Sequence, residues 1–410
     1  MRRGRTLLAA VASVAMAAGL LAGGPDGTLA DEAPETIRMG YAVSLSGPYA
    51  PGAATTTVGN YDLWLHDVNE AGGIYLSKYD KRVPVEFIVY DDRSQLEEAV
   101  RLTERLMLED EVDFVLPPWG TATHMAVGRL YERHGYPLLA FTCTVERSID
   151  LSTRWKNVFW LLSPPSHLVG AIKDSIDALR AEGRVNDKVA IAYMTDQLGV
   201  EMATAATDLF TEAGYDIVYN KSYPPTASDL SQQVKEMKGL EPDTFLGFSY
   251  PLDAMMFVEQ SMVLDFNPKF FYSAVGPPHP YFVGKFGADK IDGLTGIGGI
   301  DPGLQSIQDY VARYRAVIGE EPDLTGGPVV YGSLEMLQQA IESVGELDRE
   351  KVLAALRDTS FDTVAGNLEI KNQMLVGYWR LGQWQGGEWV GLEPSGRDGA
   401  RPVLFPKPTW

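Results

Sequence analysis

Between Val115 and Thr144 the sequence holds the residues best suited to grip a small anion. The stretch opens Val-Leu-Pro-Pro-Trp-Gly-Thr-Ala-Thr-His, runs through a short helical segment to Gly135, and closes Tyr-Pro-Leu-Leu-Ala-Phe-Thr-Cys-Thr. Hydroxyls at Thr121, Thr142 and Thr144 can donate hydrogen bonds to a carboxylate. A helix starting after Gly120 would aim the N–H groups of its first turn in the same direction. Trp119 adds a large apolar wall. Threonines also cap helices without any ligand, so Thr121 and Thr123 have a purely structural use as well. Cys143, between two threonines, reads as a buried filler.

Strands and helices alternate around this stretch and must position it. Ile37, Met39 and Tyr41 alternate in a first strand that ends at Ser44-Leu45-Ser46-Gly47-Pro48. A helix from about 56 to 71 stops at Gly72-Gly73, and a second strand, 83–90, closes on Asp91-Asp92. Strands at 112–116 and 136–141 flank the hydroxyl-rich turns, which in a parallel sheet fall at the carboxyl ends, where open α/β sheets bind ligands. A second series begins at 158–161 and alternates through a strand at 269–273. Strands and helices of these lengths predict βαβ units in two parallel sheets, with the break in the polar segment 148–156. Helices follow at 305–318, 329–344 and 349–356, and then a hairpin turning at Gly386-Gly387.

The ends and the charge narrow the function further. Arg2, Arg3 and Arg5 precede an apolar run from Leu7 to Ala22, and Thr28-Leu29-Ala30 offers a small-x-small cleavage site, so residues 1–30 read as a signal peptide. The run is shorter than the ~20 apolar residues of a spanning helix. Residues 1–30 carry three arginines and one aspartate, so their removal takes the formal charge from −20 to −22. A surface this acidic disfavours nucleic acid and anionic membranes as partners. With Cys143 as the single cysteine, no internal disulfide can form.

Several marks, in order, resemble one family: Ser44 to Ala50, Val68-Asn69-Glu70-Ala71-Gly72-Gly73-Ile74, Asp91-Asp92, and Phe361-Asp362-Thr363-Val364-Ala365-Gly366. With the leader, the two α/β series and the hairpin, the chain resembles the periplasmic solute-binding proteins of branched-chain amino-acid-type ABC transporters, the Leu/Ile/Val-binding family. The resemblance implies an α/β type I, Venus-flytrap fold: two Rossmann-like lobes with parallel central sheets, joined by a three-segment hinge. Lobe 1 would hold 34–150 and 278–358, and lobe 2 151–277 and 359–410. It also implies an exported, periplasmic monomer with no cofactor, which hands a small carboxylate to permease subunits in the inner membrane. A sensor that shows its bound state to a signalling partner is the alternative.

By position, the resemblance gives the ligand carboxylate to Thr121, Thr142 and Thr144, and places Tyr250 as the aromatic that closes over it. The expected ligand-binding set is Tyr49, Trp119, Gly120, Thr121, Thr142, Thr144, Leu198, Phe248, Tyr250 and Tyr272. Two departures bear on the ligand. The segment Tyr272-Ser273-Ala274-Val275-Gly276 lacks the acid that amino-acid binders place there, and a buried ammonium without a partner is costly. Asp196 or Asp253 would have to substitute. Leu198 stands where relatives often carry tyrosine. Together with Trp119 and Tyr272, it points to a larger, more apolar pocket, and an aromatic or aliphatic acid joins the amino acids as a candidate.

Catalysis has no support in the sequence. His66, His124, His134, His167 and His279 are scattered without metal spacing, and Gly296-Ile297-Gly298-Gly299-Ile300-Asp301 fails the dinucleotide fingerprint at its third glycine. No phosphate-binding loop or nucleophile elbow occurs, and Asp91-Asp92 suits a turn.

Overall fold

Apolar alternation in Ile37–Val43 places it at the centre of a parallel three-stranded sheet, with Val85–Asp91 on one side and Phe114–Val115 on the other. The structure is a computed structural model and describes residues 32–377, 379–392 and 396–410; the expected signal peptide lies outside them, as does Tyr378. Residues 34–410 form one compact unit. No helix among the described residues is long and apolar enough to cross a membrane.

A five-stranded sheet continues the first layer. It runs in the order Ser360–Thr363, Gly366–Lys371, Met374–Val376, Val158–Trp160, Leu138–Ala140. Val115 shares one apolar cluster with Leu138, Ala140, Val158 and Trp160, so the two sheets bury a common core. The third sheet has seven strands, ordered Glu388–Gly391, Leu381–Gln385, Leu294–Ile297, Phe270–Ser273, Thr244–Phe248, Lys188–Met194, Asp216–Tyr223. Its last five strands are parallel, while the hairpin around Gly386-Gly387 is antiparallel.

The chain changes sheet at three places, each a little after the expected lobe boundary in sequence. Val158–Trp160 does not open the second series: it pairs in parallel with Leu138–Ala140, so the chain leaves the first layer after Trp160 rather than at 150. Leu294–Ile297 pairs with Phe270–Ser273 and belongs to the seven-stranded sheet, so the return follows Ile297 rather than 277. The meander Ser360–Val376 extends the first layer through Met374 opposite Trp160, and the last crossing follows Val376 rather than 358. Only the short run 374–376 touches the older strand, which is why the meander reads as a separate unit in sequence.

The helix expected from residue 56 starts at Ala50, where Pro51 occupies a first-turn position whose N–H has no helical partner to lose. A wider π turn at Ala54–Val58 then joins it to Gly59–Glu70. This turn sets Thr55 and Thr56 side by side and buries both.

Candidate functional site

Pro117 and Pro118 cannot donate to a ladder, so the short strand Phe114–Val115 ends and the chain turns through Trp119 to Gly120. Gly120 has φ +90° and ψ +147°, backbone that only glycine adopts readily. The helix Thr121–His134 begins there without a side-chain cap, leaving first-turn N–H groups for a ligand. Two contacts pin the turn. Gly120 N–H donates to Thr142 Oγ1 at 2.9 Å, and Gly120 O lies 2.9 Å from His124 Nδ1. A carbonyl can only accept, so Nδ1 carries the proton. Burial lowers the His124 pKa to about 4, so the ring is neutral and works as a positioning group.

Donors dominate what this wall offers. Thr142 Oγ1 accepts from Gly120 and Thr121 Oγ1 accepts from Thr144 N–H at 3.3 Å, leaving the proton of each hydroxyl to be directed elsewhere. A surface rich in N–H and O–H donors suits a carboxylate. Cys143 is buried with Sγ 3.8 Å from Thr121 O, and burial pushes its thiol pKa up, so the thiol stays protonated.

Residues from the seven-stranded side face this wall. Asp196 caps the helix Gln197–Glu212 through Gly199 N–H at 2.8 Å, which sets Leu198 toward the cavity. Tyr250 caps Pro251–Leu264, and its N–H donates to Asp253 Oδ1 at 3.0 Å. Tyr250 lies 5.2 Å from the Trp119 ring and 5.6 Å from Tyr49, while Tyr49 and Trp119 are 5.8 Å apart. Trp119 is 3% exposed and Tyr250 8%, so the three rings close the cavity on this side.

The cavity holds about 60 Å³. Trp119, Gly120, Thr121, Thr142, Leu198 and Tyr250 of the expected set line it, joined by Phe141, Leu162, Val275 and Ile297. Tyr49 lines the adjoining outer cleft with Trp119 and Tyr250. Three expected residues do not line the cavity. Thr144 turns its hydroxyl onto Ser163 O at 2.7 Å, because the chain bends after Ala140 and the two-residue alternation from Thr142 is lost. Phe248 and Tyr272 lie within strands of the seven-stranded sheet, buried edge to face at 6.0 Å in its core.

Four polar residues that the sequence did not single out, Thr56, His279, Asp323 and Thr325, also line it, with Pro278 and Gly326 beside them. Asp323 Oδ1 accepts from Thr325 N–H at 2.9 Å and Gly326 N–H at 3.1 Å, and Oδ2 accepts from the Thr56 hydroxyl at 2.8 Å. Trp389 Nε1–H donates to Thr325 Oγ1 at 2.9 Å. Residues 56, 279 and 323 come from three separate segments with no shared period, so no local signal could have joined them. Elsewhere, His66, Asp67 and Glu70 sit close enough to consider for a metal, but the Asp67 carboxylate already accepts from Tyr331 and pairs with Arg313.

Asp253, which accepts from Tyr250 N–H, also accepts the Tyr223 hydroxyl, and burial raises its pKa to about 7. The folded state therefore keeps a proton on Asp253 that the unfolded chain releases above about 4. Stability from this group is present below that value and is lost as pH rises toward 7. Buried Glu335, also raised to about 7, acts in the same direction. Asp253→Asn keeps an acceptor for Tyr250 N–H and removes the titration. Urea midpoints at pH 5 and pH 8 are expected to differ less in the variant than in the wild type. An equal pH difference would rule Asp253 out as a contributor.

A family model described as periplasmic binding protein matches residues 36–388. A Leu/Ile/Val-binding protein homolog from Brucella melitensis is 23% identical over 368 residues, covering 85% of this chain and 87% of its own. Among solved structures, the leucine-binding protein of Thermotoga maritima superposes with a TM-score of 0.71 at 18% identity, covering 87% of this chain and 97% of its own. An ABC transporter solute-binding protein from R. palustris, in complex with benzoate, gives 0.73 at 18% identity over 92% and 97%. The Streptococcus pneumoniae branched-chain amino acid binding protein with isoleucine gives 0.68 at 20% identity over 84% and 98%. The chain belongs to the periplasmic binding protein family, has the fold of the type I members among the solved structures, and is a binding protein rather than an enzyme.

Proposed function

We propose that this protein is the exported, substrate-binding component of an ABC importer, which captures a small carboxylate between two lobes and presents it to permease subunits in the membrane. The observation that carries this reading is the chemistry of the cavity wall: an uncapped helix N-terminus and two threonine hydroxyls on one side, apolar residues with an aromatic lid beside them, and a separate polar group of Thr56, His279, Asp323 and Thr325. Thr121 and Thr142 hold the carboxylate, with Gly120 shaping the turn. Phe141, Leu162, Leu198, Val275 and Ile297 receive an apolar body.

At about 60 Å³ the cavity is smaller than one that admits benzene, roughly 150 Å³. The ligand therefore needs the lining to spread by hinge motion where the chain crosses between the sheets, and the liganded closed state leaves more room than this one. The benzoate-bound neighbour supports aromatic acids, and the isoleucine-bound one supports branched-chain amino acids; both carry the carboxylate the wall suits. Calorimetry on the mature protein should show at least one of benzoate, 4-hydroxybenzoate, isoleucine and its 2-oxo acid binding. The methyl ester of that ligand should bind at least tenfold more weakly, since the ester loses the charge that strengthens each hydrogen bond. Equal affinity for acid and ester, or no binding across the panel, would overturn the reading.

A further inference from the structure

His279 and Asp323 line the cavity, and both are buried; His279 is 0% exposed and Asp323 2%. Thr55 Oγ1 lies 3.0 Å from His279 Nδ1 and within reach of the carbonyls of Pro51 at 3.1 Å and Gly52 at 3.4 Å. Its single proton serves either the ring or a carbonyl, and the ring carries its own proton on Nε2 or on Nδ1 accordingly. His279 Nε2 has no hydrogen-bond partner among the described residues, and the nearest polar atom recorded is Asp323 Oδ2 at 3.6 Å. Burial lowers the His279 pKa against the opposing pull of Asp323, which keeps a second proton off the ring.

In either tautomer the ring and the carboxylate face each other at 3.6 Å, longer than a hydrogen bond, and Asp323 Oδ2 keeps an acceptor lone pair beyond its contact with Thr56. Asp323 is held in place by Thr56, Thr325 and Gly326, and His279 by Thr55, so neither turns away easily. We infer that His279 and Asp323 form a second polar subsite of this cavity, which selects carboxylates carrying a further hydrogen-bond donor, a hydroxyl or an ammonium. The inference rests on the proposed carboxylate capture and deepens it. It also provides the acid that Tyr272 to Gly276 lacks, from a different segment of the chain. A site built to bond a donor rejects the analogue without it, because its own polar atoms would stay unpaired when the ligand fills the space.

The test uses matched acids on the mature protein: benzoate, 4-hydroxybenzoate and 4-methoxybenzoate, and isoleucine against its 2-oxo acid. The expected result is that one donor-bearing acid binds at least tenfold more tightly than its mate, with 4-methoxybenzoate grouping with benzoate. The two pairs tell a hydroxyl from an ammonium. His279→Phe should reduce that ratio to within about threefold. Should His279→Phe fail to fold, Asp323→Asn, which keeps an acceptor for Thr325 and Gly326, should reduce it as well. Equal affinity within both pairs in the wild type would overturn the inference while leaving carboxylate capture standing. So would a preference that survives His279→Phe and Asp323→Asn. A panel in which no acid binds, or in which the ester matches the acid, would instead sink the capture on which it rests.

Discussion

Gly120→Ala is expected to weaken binding of the carboxylate by an order of magnitude or two while the protein stays folded. At φ +90° and ψ +147° the residue occupies backbone that costs a side-chain-bearing residue about 1–3 kcal/mol. A Cβ there would meet nothing within 4 Å, so the penalty lies in the dihedral angles and not in a clash. The cheapest escape is to rotate one of the two peptides that flank its Cα, the one whose N–H donates to Thr142 or the one whose carbonyl accepts from His124. Relaxation would therefore misdirect the Thr142 hydroxyl or the first-turn N–H groups. Roughly 1–3 kcal/mol corresponds to about five- to 150-fold in affinity. Calorimetric titration of Gly120→Ala with the acid that the wild type binds tightest, beside a melting curve, separates lost binding from lost fold. Wild-type affinity in a folded variant would show that the helix N-terminus does not seat the carboxylate.

The turn around Gly120 was legible in the sequence because its signals are local. Two prolines end a strand, a glycine opens a helix, and a threonine follows. Tyr250 was legible for the same reason, being the cap residue ahead of Pro251 after a strand. Phe248 and Tyr272 misled because an aromatic near the end of a strand looks the same whether it faces a cleft or a core. Only the helices packed on the seven-stranded sheet decide that. Thr144 misled because alternation was carried past Ala140, where the strand stops. His279 and Asp323 carried no signal at all. Each sits among prolines, Pro277-Pro278-His279-Pro280 and Glu321-Pro322-Asp323, in segments between the helices and strands. Their partnership with Thr55 and Thr56 depends on a π turn that no spacing rule anticipates. The changes of sheet were hard to read for a related reason: each follows a short strand, and which sheet such a strand joins is a long-range choice.

Trp119→Ala should have the largest effect on binding, a loss of about a hundredfold or more, with a smaller effect on the melting temperature of the ligand-free protein. A Trp→Ala change in a core costs about 3–5 kcal/mol. Here the indole touches Tyr250 from the seven-stranded side at 5.2 Å and Tyr49 from its own side at 5.8 Å, so much of that contact exists only while the cleft is shut. Weakening the shut state lowers the fraction of molecules competent to hold the ligand, and apparent affinity falls by the same factor. Tyr250→Ala should act through the same state. Adjacent rings add about 0.5–1.5 kcal/mol beyond their buried area, so the double variant should lose less than the two single losses multiplied together. Gly52 offers a gentler push on the same ring, since a Cβ there would lie 2.4 Å from Trp119 Cζ2. Gly52→Ala should then displace the indole and weaken binding without deleting it. Small-angle scattering at saturating ligand would report closure, and the radius of gyration of Trp119→Ala should stay nearer the open value. Strictly multiplicative losses in Trp119→Ala and Tyr250→Ala would mean the rings act separately. Unchanged affinity in Trp119→Ala would mean that the three rings fill space beside the ligand without holding it in.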